Sequence, residues 1–178
     1  MGVVKNTRVK AVDFFQVFFE SIEIFRGLLG VAYIQPLELQ QEKIKEQYQK
    51  IWNTAEHDVH TFEKIEKLEE IARIAVSAFN LIDQLEWTII QNIDVAKKNQ
   101  FSSQHRQLLI RLEQLGIEEI SVYGQEFDGD FMESLGAITN EEIIEEIPSY
   151  HVAYVFRRAF KLKESGKVIQ DALVKTII

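Results

Sequence analysis

The sequence predicts an α+β protein: a long dimeric coiled-coil-like helix and a short helix bundle, followed by a small C-terminal β-domain. Three observations predict it. The chain of 178 residues has 8 Gly and 2 Pro, yet none lies between Leu37 and Leu115; both residue types interrupt helices, so their absence permits long ones. Across that stretch apolar residues recur in steps of three and four, the period of a helix seam. Five of the Gly and one Pro then fall within residues 116–178, among short runs of Ile, Val and aromatics.

The seam runs through Ile44, Tyr48, Ile51, Phe62, Ile65, Phe79, Ile82 and Leu85. A helix from Pro36 to about Asn99 would be roughly 95 Å long at about 1.5 Å per residue, too long for a globular domain of this size. Those eight residues are therefore the expected dimerisation surface, with a second copy of the chain as the simplest partner. A second helix should start at Ser102 or Ser103, where a hydroxyl can cap free N–H groups, and end near Leu115, with Gly116 as the left-handed cap. Residues 36–116 thus form the dimerisation region and residues 117–178 a small β-domain.

Within the β-domain, Ile117–Tyr123, Val152–Phe156 and Val168–Ile177 read as strands. Ser165-Gly166 marks a hairpin. Thr139-Asn140-Glu141-Glu142 has capping-box spacing and should open a short helix ending before Pro148.

Residues 1–35 form a separate amphipathic segment. Phe14, Phe15, Phe18, Phe19, Ile22, Phe25, Leu28 and Leu29 make a wide apolar face, and Asp13, Gln16, Glu20 and Glu23 a narrow polar stripe. Those charges argue against a signal peptide and a transmembrane span. Packing on the rest of the chain is the first expectation; a weak membrane-surface contact through residues 11–34 is the alternative.

A net charge of -8 speaks against nucleic acid as a partner. The lack of Cys excludes disulfides and thiolate chemistry and accords with a cytoplasmic location. Charge is also sorted along the chain. Eleven acidic residues and no Lys or Arg lie between Leu112 and Phe156; Arg157, Arg158, Lys161, Lys163 and Lys167 follow, relieved only by Glu164. The two signs either balance within one domain or leave a basic hairpin that steers docking onto an acidic partner.

Catalytic signatures are missing: there is no Gly-rich phosphate loop and no nucleophile elbow. His57 and His60 lie one turn apart beside Glu56 and Asp58, a spacing that more often marks exposed helix residues than metal ligands. His105 and His151 have no triad partners nearby in sequence and read as surface or structural. Asp128-Gly129-Asp130 is first of all a turn. No enzyme activity, cofactor or metal is expected.

From Phe79 onward the chain resembles the GrpE family. Asn80-Leu81-Ile82-Asp83-Gln84-Leu85-Glu86 matches its leucine-rich helix motif, and Leu112-Glu113-Gln114-Leu115-Gly116-Ile117-Glu118-Glu119-Ile120 its helix-closing motif. The Phe-Asp turn stands as Phe127-Asp128-Gly129-Asp130-Phe131-Met132-Glu133. The last two strands stand as Arg158-Ala159-Phe160-Lys161-Leu162 and Val168-Ile169-Gln170-Asp171-Ala172-Leu173-Val174. Ala159 replaces a family glycine and Gln170 a usual arginine; the hairpin at Ser165 is longer, and Glu141–Tyr150 is an insertion. The resemblance implies a homodimeric nucleotide exchange factor that binds a DnaK-type chaperone and opens its nucleotide cleft. It places partner contacts on Phe156, Arg158, Phe160, Lys167 and Thr176, with Phe127 and Met132 of the turn. The alternative is a coiled-coil scaffold or membrane-associated adaptor without exchange activity.

Overall fold

The computed structural model describes residues 2–28, 31–56, 65–89 and 94–178. They divide into two units, Met1–Leu115 and Gly116–Ile178. Helices fill the first unit and two small sheets the second, the α+β order the sequence predicts.

The helical unit contains α1 (Gly2–Leu28), α2 (Val31–Glu56), α3 (Ile65–Ile89) and α4 (Val95–Gln114). Its apolar stripes meet inside one chain. Phe14, Phe18, Ile22 and Phe25 of α1 are fully buried, as are Phe79 and Ile82 of α3 and Phe101 and Leu108 of α4. Phe15 stacks on Tyr48 of α2 with ring centroids 4.4 Å apart, and Arg26 reaches Glu38 at 3.5 Å, so α1 and α2 run antiparallel. On another side of α1, Phe25 meets Phe101 at 4.5 Å, and Asp13 pairs with Arg111 at 2.8 Å. The Ser21 hydroxyl, completely buried, donates to the Val17 carbonyl and lies 3.1 Å from the Gln104 side chain. Burying several Phe side chains at about 1.5–3 kcal/mol each is the main stabilising term of this unit.

Two expectations are corrected here. The single helix from Pro36 to Asn99 does not form: α2 begins at Val31 with Pro36 inside it and ends at Glu56, and α3 packs back against α2. Ile44 and Ile51 are nearly buried within the chain, Tyr48 is held by Phe15, Phe79 and Ile82 are inaccessible, and Leu85 is half-buried. Much of the seam thus packs against other helices of the same chain; Phe62 and the Ile65 side chain lie outside what the structure describes. Neither Ser102 nor Ser103 caps α4. Asp94 does, its carboxylate accepting the Lys97 N–H at 2.9 Å, because Asp is as good a cap as Ser and stands a full two turns earlier. Of the apolar face of residues 11–34, Phe14, Phe15, Phe18, Ile22 and Phe25 are buried against neighbouring helices. No described helix is long and apolar enough to cross a membrane.

The β-unit starts where Gly116 turns the chain out of α4 at φ 81°, the left-handed cap the sequence predicts. Strands β1 (Ile117–Ile120), β4 (Ala159–Leu162) and β5 (Val168–Gln170) form one antiparallel sheet in the order β1-β4-β5. A second sheet has the order β2-β6-β3, from β2 (Met132–Ile138), β6 (Ala172–Ile177) and β3 (Val152–Arg157). There β2 runs parallel to β6 and β3 antiparallel to it. The expected strand 168–177 is in fact two strands, parted at Asp171, where the chain leaves one sheet and enters the other. The Ser165-Gly166 hairpin forms as predicted, with Gly166 at φ 69° and Leu162 N–H donating to the Lys167 carbonyl at 2.8 Å. The Thr139 capping box also forms, but it opens only a single 3₁₀ turn, Asn140–Glu142.

Val122, Met132, Val152, Ala159, Ala172 and Val174 make the main core of this unit, and Ile138, Ile147, Ala153 and Ile177 a second cluster. Ala159 is fully buried there, so its methyl is part of the core packing. Gln170 donates to the Arg158 carbonyl at 2.8 Å and ties β5 to the entry of β4.

Candidate functional site: the open face of the mixed sheet

Side chains alternate across a strand, so a sheet that buries one face displays the other. In β6, Ala172 and Val174 point into the core, and Leu173 and Lys175 stand on the outer face. The register sets their neighbours. Leu173 is opposite both Glu133 of β2 and Arg157 of β3, and Lys175 is opposite Tyr154.

Tyr154 and Phe156 are 37% and 43% exposed, which for aromatic side chains on a strand is a large apolar surface. Their ring centroids are 6.4 Å apart, and the Lys175 ammonium lies 5.9 Å from the centre of the Phe156 ring, within cation–π range. Leu173, on the same outer face of β6, is partly exposed. The face therefore joins aromatic, aliphatic and basic groups on a rigid frame, the composition of a protein-binding hot spot.

Beside it, Tyr123 donates its hydroxyl to Glu145 at 3.0 Å, and that carboxylate raises the Tyr123 phenol above its ordinary range. Tyr150, 71% exposed, is held at φ 64°, a backbone region that a bulky residue rarely adopts. Its N–H donates to the Ile177 carbonyl and its carbonyl accepts from Phe127, which keeps it there.

The expected partner-contacting residues separate into three groups. Phe156 lies on this face, and Thr176 is half-buried in the central strand. Lys167 is exposed in the β4–β5 turn of the other sheet, and Phe127 is 36% exposed in the loop before β2. Phe160 and Met132 are corrections: they are 1% and 5% exposed, because both strands turn these positions inward. Arg158 is held by Glu119 at 2.9 Å and so works first as a tie between β1 and the chain leaving β3. Together with Lys161–Glu118 at 3.5 Å and Arg157–Glu133 at 3.5 Å, that pair balances much of the sorted charge inside the unit. Sequence reasoning missed Tyr154 and Lys175; the aromatic-x-aromatic-Arg run from Tyr154 to Arg157 was the available signal for the first.

Two of the remaining candidates make local hydrogen bonds. Asp128 accepts the Asp130 N–H at 2.9 Å, the turn its composition predicts. His151 Nδ1 lies 3.0 Å from the Ser149 carbonyl. His57 and His60 lie outside the described residues.

A helical unit joined to a small two-sheet unit, with an open aromatic and basic sheet face, defines a binding module. A sequence model of the GrpE family matches residues 31–177, and the chain belongs to that family. No curated protein matches the chain. The family consists of nucleotide exchange co-chaperones of DnaK-type chaperones rather than catalytic enzymes. Helix α1 precedes the matched region, so the Phe-rich element that covers α3 and α4 is added to what the family model describes.

Proposed function

We propose that this chain is an adenyl-nucleotide exchange factor acting on the nucleotide-binding domain of a DnaK-type chaperone in the cytoplasm. Family membership supports the partner. The observation that carries the contact surface is the exposed Tyr154–Phe156 pair with Lys175 on the outer face of β3 and β6. A rigid sheet holds these groups in place before binding, which limits the entropy lost on docking. Arg158, Lys167, Thr176 and Phe127 lie around the contact in this reading, and the protein works as a homodimer.

The mechanism is a shift of population and breaks no bond. The sheet face binds the open cleft of the chaperone more tightly than the closed one, so it raises the open fraction and ADP leaves faster. Reciprocity requires nucleotide to weaken the complex by the same factor. Stopped-flow release of a fluorescent nucleotide tests the reading. The wild type accelerates release, and the Tyr154→Ala/Phe156→Ala variant loses most of that effect, since hot-spot aromatics contribute about 2 kcal/mol or more. Equal acceleration by both proteins removes this face from the contact; no acceleration by a folded wild type removes the function.

A further inference from the structure

We propose that Asp83, Glu86 and His105 form a transition-metal site that clamps α3 to α4. Asp83 and Glu86 are three residues apart on α3, which sets both carboxylates on the side that meets α4. His105 projects from α4 between Phe79, 5.1 Å away, and Phe101, 6.3 Å away and nearly parallel. These rings fix the imidazole plane, and His105 is only 7% exposed. Its Nε2 lies 2.8 Å from Asp83 Oδ1 and 3.6 Å from Glu86 Oε2, and all three ligand atoms lie within 4.8 Å of one another.

A hydrogen bond between His105 and Asp83 accounts for the first carboxylate and not for the second. One N–H points in one direction, yet two carboxylates converge on the same nitrogen. A divalent cation at the centre satisfies all three groups. Ligands about 2.0–2.1 Å from a tetrahedral ion stand roughly 3.3 Å from one another, and the two observed separations from Nε2 bracket that value. One imidazole with two carboxylates suits Zn²⁺, Co²⁺ or Mn²⁺ rather than Ca²⁺ or Mg²⁺, which prefer oxygen alone. The carboxylate side chains are 16% and 27% exposed, leaving an approach from solvent. Three protein ligands leave the fourth position to water. The clamp is independent of chaperone binding.

The test uses the full-length protein, stripped with chelator and titrated with Co²⁺ by visible absorption and with Zn²⁺ by calorimetry. The expected result is a ligand-field band that saturates with one site dependent on Glu86, and a Zn²⁺-induced rise in melting temperature. Glu86→Gln keeps the His105–Asp83 hydrogen bond and the fold, checked by circular dichroism, and weakens binding at least about tenfold, a loss of a size that even an outer-shell change can produce. Asp83→Asn has the same effect. The His57→Gln/His60→Gln double variant, which removes the other histidine pair, retains full affinity at this site. Absence of saturable binding by the wild type overturns the proposal, as does binding that the histidine-pair variant loses and Glu86→Gln keeps.

Discussion

Arg157 and Glu133 are ion-paired at 3.5 Å although their strands are not neighbours: β6 runs between them, and the guanidinium crosses above Leu173. Arg157 Nε also donates to the Asp171 carbonyl at 3.1 Å, so the side chain lies along the sheet. Its stem covers Leu173, and its head closes the end of the open face. Both partners are partly exposed, and screened pairs of this kind contribute about 0–1 kcal/mol. Glu133→Ala should therefore shift the urea midpoint of the β-unit only slightly. A large loss would mean that Arg157 holds the register of all three strands.

Lys167 offers a cleaner electrostatic test because it stands in a turn rather than on the sheet. Lys167→Glu should change folding stability by less than about 0.5 kcal/mol. If the turn meets an acidic chaperone surface, the charge reversal costs several kcal/mol of binding, and the gap between wild type and variant narrows as salt rises. Nucleotide release timed at two ionic strengths reads both effects. Identical curves would assign Lys167 to solvent alone.

Helix α1 is predicted to be necessary for the helical unit and dispensable for the β-unit. Phe18 is fully buried, so Phe18→Ala should destabilise the helices by about 3–5 kcal/mol. Deleting residues 1–28 should leave the tertiary signal of the β-unit intact, since that unit has its own core, while uncovering apolar faces of α3 and α4. Light scattering should then show the truncated chain associating more strongly than the full chain. Neither form should float with anionic liposomes; flotation of the full-length protein alone would support the membrane reading.

Asp94 sets a pH dependence. The Lys97 backbone N–H holds its carboxyl below the ordinary value of 3.8. A carboxyl lowered by folding stabilises the folded state above its unfolded pKa, and that contribution disappears as pH falls through the lower folded value. Asp94→Ala should therefore reduce the melting temperature of the helical unit at neutral pH, and the difference from wild type should close below about pH 4. A gap unchanged at acidic pH would mean that the carboxylate does not act through its charge.

How much of this was legible in the sequence depends on whether a residue's neighbours lie close in the chain. The Gly116 cap, the Ser165-Gly166 hairpin and the Thr139 capping box are local, and each formed where residue chemistry placed it. The seam was read with the right period. A spacing of three and four specifies an apolar helix face; it does not say what covers it, and within the chain α3 packs on both α1 and α2. Strand β2 left almost no signal. Only its ends, Met132 and Ile138, are buried, and Ser134 with Gly136 at φ 125° breaks the pairing in the middle. Phe160 and Met132 were misplaced for a related reason: the resemblance gave their positions in the chain, and only the folded sheet decides which side they face. The Asp83–His105 approach, across 22 residues, has no local signature.

The strand order β2-β6-β3 also has a consequence in time. The central strand comes later in the chain than both of its neighbours. As the polypeptide is synthesised from its N-terminus, β2 and β3 emerge first and cannot pair with each other across the vacant middle lane. The open face thus cannot exist on a growing chain until Ala172–Ile177 has followed. In the interval two unpaired strand edges are presented together, a template for unwanted association. A nascent copy therefore lacks this face until its last strand is made, and until then it presents the kind of exposed edges that chaperones cover.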